Sequence, residues 1–513
     1  MKNIAAAIAF ALCAVFGFLQ MASNLQKRAI HADESEQATT FLKLYKDGDY
    51  KYNPNGPHGP ILYYWANAAQ KIKNTLSTPT APENIAMPDL RKTLLPAAAL
   101  ALLCCFAVAA QTGFAAAACA AAALALAPLW QIYGAYFVQE IFFSSAVFLF
   151  ALAAFSFSKN RSLKNALLVG LSAGAAQICK ETSVFAFASA AAAALATTAL
   201  YSKGAGLKAL LKDAAKPQNL AAIFVGFLIP VAVFYSSFGD NPRGIIDAFA
   251  SYFAHFAGKS VSAAHTSGAD FYIKLLFAQK SGGVYFGSAA ITLLAAAGTL
   301  AALANRAARG AQTALFFALT AIINIAILCI VPYKTPWLLL SPTALMCVPA
   351  GFFAARIFEL KNKFVSIAAC AATVALGCYQ TTLDRPAATR YADDPRNPFL
   401  YSHTVSDENN LANRVFECAR FSQYKNEIPV AFVGSVSPWP LPWQLRNLPN
   451  AGFWTTPPDN LDRFDVIITD AFRLKQTLEK FDASKYAPDI FGIRKNTLLH
   501  VFIRREIFEK ITE

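Results

Sequence analysis

A chain of 513 residues that is 56% hydrophobic, only 15% charged and positive in mean hydropathy is too apolar for a soluble globular protein, whose charged share is about a quarter. Its formal charge of +14 does not mark a nucleic-acid binder, because the basic residues fall largely in short loops between apolar runs, where they report orientation in a membrane. Nine of the ten cysteines lie in or beside apolar runs, which leaves no disulfide framework, and no CxxC metal site is present.

A helical span takes roughly 20 apolar residues, since every backbone group must be bonded internally where water is absent. Eleven runs qualify: 3–22, 93–110, 113–129, 137–157, 164–179, 182–201, 219–238, 283–303, 311–331, 337–356 and 364–382. Gln111-Thr112-Gly113 predicts a tight hairpin between the second and third. The first run also has features of a signal peptide, with Lys2 as its basic start and Ala22 and Ser23 as small residues, but its long apolar stretch favours a retained helix. Lys159, Arg161 and Lys164 follow the fourth run; Lys203, Lys208, Lys212 and Lys216 the sixth; Arg306 and Arg309 the eighth; Arg356, Lys361 and Lys363 the tenth. All fall on one side of the membrane together with Lys2, and positive charge is retained on the cytoplasmic side. The expectation is an integral, multi-pass protein of the inner (cytoplasmic) membrane. Its amino end is cytoplasmic, and the 23–92 loop, the 239–282 loop and the tail are periplasmic or extracellular.

The 23–92 loop is the richest in polar and turn residues. Residues 35–46 place Ala38, Phe41, Leu42 and Tyr45 on one helical stripe, and a second helix opens at Pro60 with Ile61, Leu62, Tyr64, Trp65 and Ala68, a composition suited to the water–lipid boundary. Residues 1–382 form the membrane domain. Residues 383–513 lack a span and read as a small soluble α/β domain, with strands at 428–433, 464–469 and 498–503 and helices at 408–423 and 471–481.

The polar residues at the outer ends of the spans converge on one face. They are Asp33, Glu34 and His58 from the first loop, Glu140 at the start of the fourth span, Lys180 and Glu181 between the fifth and sixth, and Tyr333, Lys334 and Trp337 before the tenth. Ionisable groups at a membrane edge are costly unless they are used or paired. A sugar carried on a polyprenyl phosphate needs cations for the departing phosphate and a carboxylate to take the proton of an attacking hydroxyl. Asp33 fits the general base, and Glu140 a group that orients the acceptor or assists the base. Lys180, Lys334 and His58 fit the phosphate, while Glu34, Glu181, Tyr333 and Trp337 fit further substrate contacts. Each has a plainer reading. Glu140 with Lys180 makes a structural ion pair, His58 a turn residue, Lys334 and Trp337 interface anchors, and Asp33 and Glu34 acids favoured at a helix start. Their coincidence on one face carries the catalytic reading. Carboxylates of this kind also hold magnesium or manganese through oxygen, so a divalent metal stays open.

The segments H-A-D-E, Y-K-Y-N-P-N-G-P-H-G-P-I-L-Y, Y-F-V-Q-E, K-E-T, Y-K-T-P-W and W-P-L-P-W-Q-L-R-N occur in this order along most of the chain. Together they resemble the membrane glycosyltransferases of C-type fold (GT-C), specifically the group related to protein O-mannosyltransferases of family 39 and labelled flippase-activity-associated. The resemblance implies a dolichyl- or undecaprenyl-phosphate sugar as donor, a protein, glycan or lipid acceptor, a catalytic acid at Asp33 and a second acid at Glu140. Two departures stand out. The stretch before Glu140 lacks the arginine common in relatives, and the 239–282 loop carries S-G-A-D-F-Y-I in place of a proline and aromatic cluster. Trp443 and Arg446 either bind sugar and anion or stack to hold a loop together.

Two other functions compete with the enzyme. A transporter or flippase of polyprenyl-linked sugars would place charge near mid-membrane and repeat its halves in inverted order; the middles of these spans are nearly charge-free and no half is repeated. A scaffold that kept the fold without activity is the other alternative, and the presence of both Asp33 and Glu140 speaks against it.

Overall fold

The computed structural model describes residues 2–512 apart from Lys27, Pro57, 203–204 and 262–265. Each of the eleven apolar runs contains a helix, although the 283–303 run opens in a strand and becomes helical only at Ala289. Among the described residues, eight helices are long and apolar enough to cross a membrane, from Ile4–Ala22 near the amino end to Phe364–Ala388. The expected runs at 113–129, 164–179 and 283–303 hold the shorter helices Phe114–Ala125, Leu163–Gln177 and Ala289–Ala304. The chain is an integral, multi-pass membrane protein.

Small residues let these helices approach closely, as packing in lipid requires. A methyl group on Gly170 would lie 2.1 Å from the Ile223 carbonyl oxygen, so helix Leu163–Gln177 and helix Pro217–Tyr235 touch backbone to backbone there. The alanines of Phe114–Ala125 are nearly all buried and serve the same purpose. Gly113, with φ of 95°, makes the expected hairpin turn into that helix.

The first loop folds back onto the bundle. Helix Ala32–Asp47 begins earlier than the apolar stripe suggests, because His31 caps it, and it stops at Gly48 in the left-handed conformation. Helix Ile61–Leu76 follows Pro60 as expected. Its Trp65 indole donates to the Thr93 carbonyl at 2.6 Å and its ring meets Phe142 edge-on, so this helix is fastened to the second and fourth spans. The 239–282 region holds two helices, Gly244–Val261 and Phe271–Leu276, then a hairpin of β1 (Gln279–Ser281) and β2 (Val284–Phe286). The last membrane helix continues past 382 to Ala388.

The C-terminal region is a five-stranded sheet of β3 (Val430–Val433), β4 (Ala451–Trp454), β5 (Val466–Asp470), β6 (Tyr486–Arg494) and β7 (Thr497–Arg504), in the order β4-β3-β5-β7-β6. β3 runs parallel to β4 and β5, while β7 is antiparallel to both its neighbours. The helices Asp407–Phe421 and Arg505–Thr512 cover one face through Leu411, Val415 and Ile507. The sequence reading caught β3, β5 and β7, which are apolar and β-branched. It missed β4, which is four residues with a glycine, and β6, which Pro488 and Gly492 interrupt.

The W-P-L-P-W-Q-L-R-N segment joins this domain to the first loop. The Arg446 guanidinium stacks 4.0 Å over Trp443 and donates to the carbonyls of Trp443, Glu83 and Ile85, the last at 2.7 Å. Beside it, Gln444 donates to the buried Glu408 at 2.9 Å. Burial pushes the Glu408 carboxyl up to about 8, and the Gln444 hydrogen bond and Arg494 reverse only part of that. A folded value above the unfolded one means that protonated Glu408 stabilises the domain at low pH. That contribution falls as pH rises from about 4.5 to about 8. Glu408→Gln is therefore expected to raise the thermal midpoint at pH 8 and to flatten its decline over that window, measured by thermal unfolding of the detergent-solubilised chain; an unchanged pH profile would contradict the assignment.

Candidate active site

The short H-A-D-E segment gives each residue a separate task. The His31 ring accepts the Asp33 backbone N–H at Nδ1 (3.1 Å) and donates from Nε2 to the Tyr401 carbonyl at 2.7 Å, which fixes a single neutral tautomer. Glu34 accepts the His31 N–H and completes the capping box. It is fully buried, grips Arg91 with both oxygens (2.8 and 2.5 Å) and accepts the Phe137 N–H at 2.8 Å. Burial alone would raise its carboxyl; Arg91 and the two backbone donors outweigh that and hold it below the ordinary range. Glu34 is therefore an anchor, away from the cavity where the sequence placed it as a substrate contact. Asp33, one residue earlier, faces the other way with its side chain 48% exposed.

Asp33 opens onto a cavity of about 300 Å³ on the face that carries the C-terminal sheet. His58, Lys180, Glu181, Tyr333 and Trp337 also line it, so six of the nine expected residues meet here. The loop bearing His58 is held by close backbone contact. The Gly59 N–H bonds the Cys179 carbonyl at 3.0 Å, and a Cβ at Gly59 would sit 2.2 Å from the Ile178 oxygen. This docking sets His58 Nδ1 2.9 Å from Glu181 Oε2.

Glu140 lies just behind the wall, where its carboxylate accepts a hydrogen bond from the Lys180 ammonium; both side chains are almost wholly buried. The ion pair and the cavity coexist. The pair uses one of the three Lys180 N–H donors and leaves that cation on the wall. Lys334 differs from expectation. Its ammonium turns back onto the carbonyls of Leu328 (3.2 Å), Cys329 (2.8 Å) and Val331 (2.5 Å), closing the end of helix Ala311–Ile330 instead of facing the cavity.

The sequence reading missed Glu36 and Gln37, which stand three and four residues beyond Asp33 on the same helical face and line the same cavity. Their spacing was the available signal. Gln37 is fixed by Gln139 and by the Tyr63 hydroxyl, which donates to its carbonyl oxygen. Burial and the neighbouring Asp33 charge raise the Glu36 carboxyl above its ordinary value. Arg91, the partner of Glu34, was also missed. The stretch before Glu140 lacks an arginine, yet Arg28 reaches over its Tyr136 ring at 4.8 Å from another segment. Among the described residues no three His, Cys, Asp or Glu side chains converge as a ligand set.

No family model matches the chain, and no curated protein matches it in sequence. Solved structures do. ArnT from Cupriavidus metallidurans bound to undecaprenyl phosphate is similar over 97% of both chains at 12% identity, with a TM-score of 0.60. The archaeal oligosaccharyltransferase AglB from Archaeoglobus fulgidus, in complex with an inhibitory peptide and a dolichol-phosphate, is similar over 96% of this chain and 74% of its own, at 12% identity and a TM-score of 0.54. Both are glycosyltransferases of the C-type fold. This chain has that fold. Within it, the Asp33 cavity lies between the first-loop helix, the 178–182 turn and the segment that enters the tenth predicted span.

The position of the Lys334 ammonium makes a direct prediction. Lys334→Met leaves three carbonyls without their donor, and the thermal midpoint is expected to fall by an amount equivalent to about 1–3 kcal/mol. A midpoint that does not move would contradict this placement of the ammonium.

Proposed function

We propose that the chain is an inverting glycosyltransferase that moves a sugar from a polyprenyl-phosphate donor to a hydroxyl acceptor. The observation that carries this reading is the cavity in which the half-exposed Asp33 carboxylate and the Lys180 ammonium share one wall system at the end of the bundle. The C-type fold supports it, as does the lipid phosphate bound in each of the two similar structures.

In this reading the acceptor oxygen attacks the anomeric carbon as its proton passes to Asp33. The bond from that carbon to the phosphate oxygen breaks, and polyprenyl phosphate leaves with the electron pair. A single displacement inverts the anomeric centre. Lys180 meets the charge that develops on the departing phosphate with the donors Glu140 does not use. Glu140 thus positions the cation, and the His58–Glu181 pair holds the loop that closes the cavity. The short basic loops support an amino end in the cytoplasm and a cavity on the periplasmic or extracellular side.

The test is sugar release from a radiolabelled polyprenyl-phosphate sugar pool by membranes that carry the wild-type chain or Asp33→Asn, with protein level and insertion matched. Loss of a general base predicts a fall in turnover of about 10²- to 10⁴-fold. Equal turnover in the two would remove Asp33 from the role.

A further inference from the structure

The opposite end of the bundle holds a groove of different chemistry. It has a volume of about 580 Å³ and lies between the start of helix Lys2–Ala22, the hairpin at Gly113 and the end of helix Leu340–Phe358. Most of its length is apolar. Ile4, Ile8 and Phe114 stand 65%, 56% and 71% exposed along it, as side chains do when hydrocarbon is their solvent.

Two guanidinium groups close one end. Arg309 donates to the Ala110 carbonyl at 3.1 Å, and Arg356 donates to the Arg309 carbonyl at 3.2 Å and pairs with Glu359 at 2.6 Å. Each guanidinium has five N–H donors, so both retain free ones after these bonds. Glu359 is the one acid on the groove wall among the described residues. On the far side of the same turn, Arg306 and Lys159 line a separate polar cavity of about 550 Å³ that contains no acid among the described residues, so the local field stays positive. An apolar trough that ends at paired guanidiniums in a positive field matches a lipid whose acyl chain is neutral and whose head carries net negative charge. A zwitterionic head would bring its own ammonium against the two arginines.

We propose that this groove binds an anionic phospholipid, with its phosphate between Arg309 and Arg356 and one acyl chain along Ile4, Ile8 and Phe114. The site is remote from Asp33 and stands independently of the transferase reading.

The test is thermal unfolding of the purified full chain in nonionic detergent, with added phosphatidylglycerol, phosphatidylcholine or inorganic phosphate. Phosphatidylglycerol is expected to raise the midpoint by several degrees, the other two are expected to leave it in place, and Arg309→Gln combined with Arg356→Gln is expected to abolish most of the shift. An equal rise with phosphatidylcholine, a rise with inorganic phosphate alone, or an undiminished shift in the double variant would overturn the proposal. Should that variant fail to fold, mass spectrometry of the intact wild-type chain mixed with equal amounts of the two lipids decides the matter. Retention of phosphatidylglycerol in about tenfold excess supports the site, and equal retention refutes it.

Discussion

The Glu34–Arg91 pair is the constraint on which the candidate site depends. A buried carboxylate and a buried guanidinium are expensive to desolvate, and they persist because nearly every remaining donor and acceptor is used. Arg91 also donates to the carbonyls of Leu25, Arg28 and Ala29, and Glu34 also accepts from His31 and Phe137. One ion pair thereby ties the exit of the first membrane helix, the start of the loop helix, the entry to the second span and the turn before the fourth. Loss of either partner would strand the other charge and release four segments at once.

That knot explains how two adjacent carboxylates come to serve different ends. In a helical first turn, consecutive side chains diverge by roughly 100°. With Glu34 fixed inward on Arg91, Asp33 has to face out, and the direction it takes is the cavity shared with Lys180. Helix geometry then places Glu36 and Gln37 beside it. The histidines behind Asp33 are equally constrained. His31 stacks on His403 at 6.2 Å, and burial, reinforced by Arg28 and Arg91, holds the His403 imidazole well below its ordinary value and therefore neutral. A cation at His403 would add to two arginines served by a single carboxylate.

Much of this was legible from the chain because the membrane simplifies the reading. Apolar length gave the helices, and the order of polar motifs gathered six cavity residues from four distant segments. What the sequence concealed has definite causes. Lys334 and Glu34 carry charges typical of a site, but their direction depends on partners far along the chain or on nearby backbone carbonyls, and spacing does not encode that. Arg91 sits among the ordinary basic residues that flank a span, so nothing local sets it apart as a buried anchor. The helix Gly244–Val261 lies in a loop whose polar interruptions hide its period. In the C-terminal sheet, strands with strong β-branched content were visible, and those broken by proline or glycine were not.

The C-terminal domain is more than an appended module, because its approach segment supplies the acceptor that sets the His31 tautomer. The Tyr401 carbonyl takes the Nε2 proton, which leaves Nδ1 free to accept the Asp33 N–H. A doubly protonated His31 would lose that cap and set a positive charge 3.9 Å from the Asp33 carboxylate. The linker therefore helps hold the cap that places Asp33, and Arg446 keeps the domain in place through the carbonyls of Glu83 and Ile85. Movement of the sheet domain relative to the first loop would be felt at Asp33 through two hydrogen bonds in series.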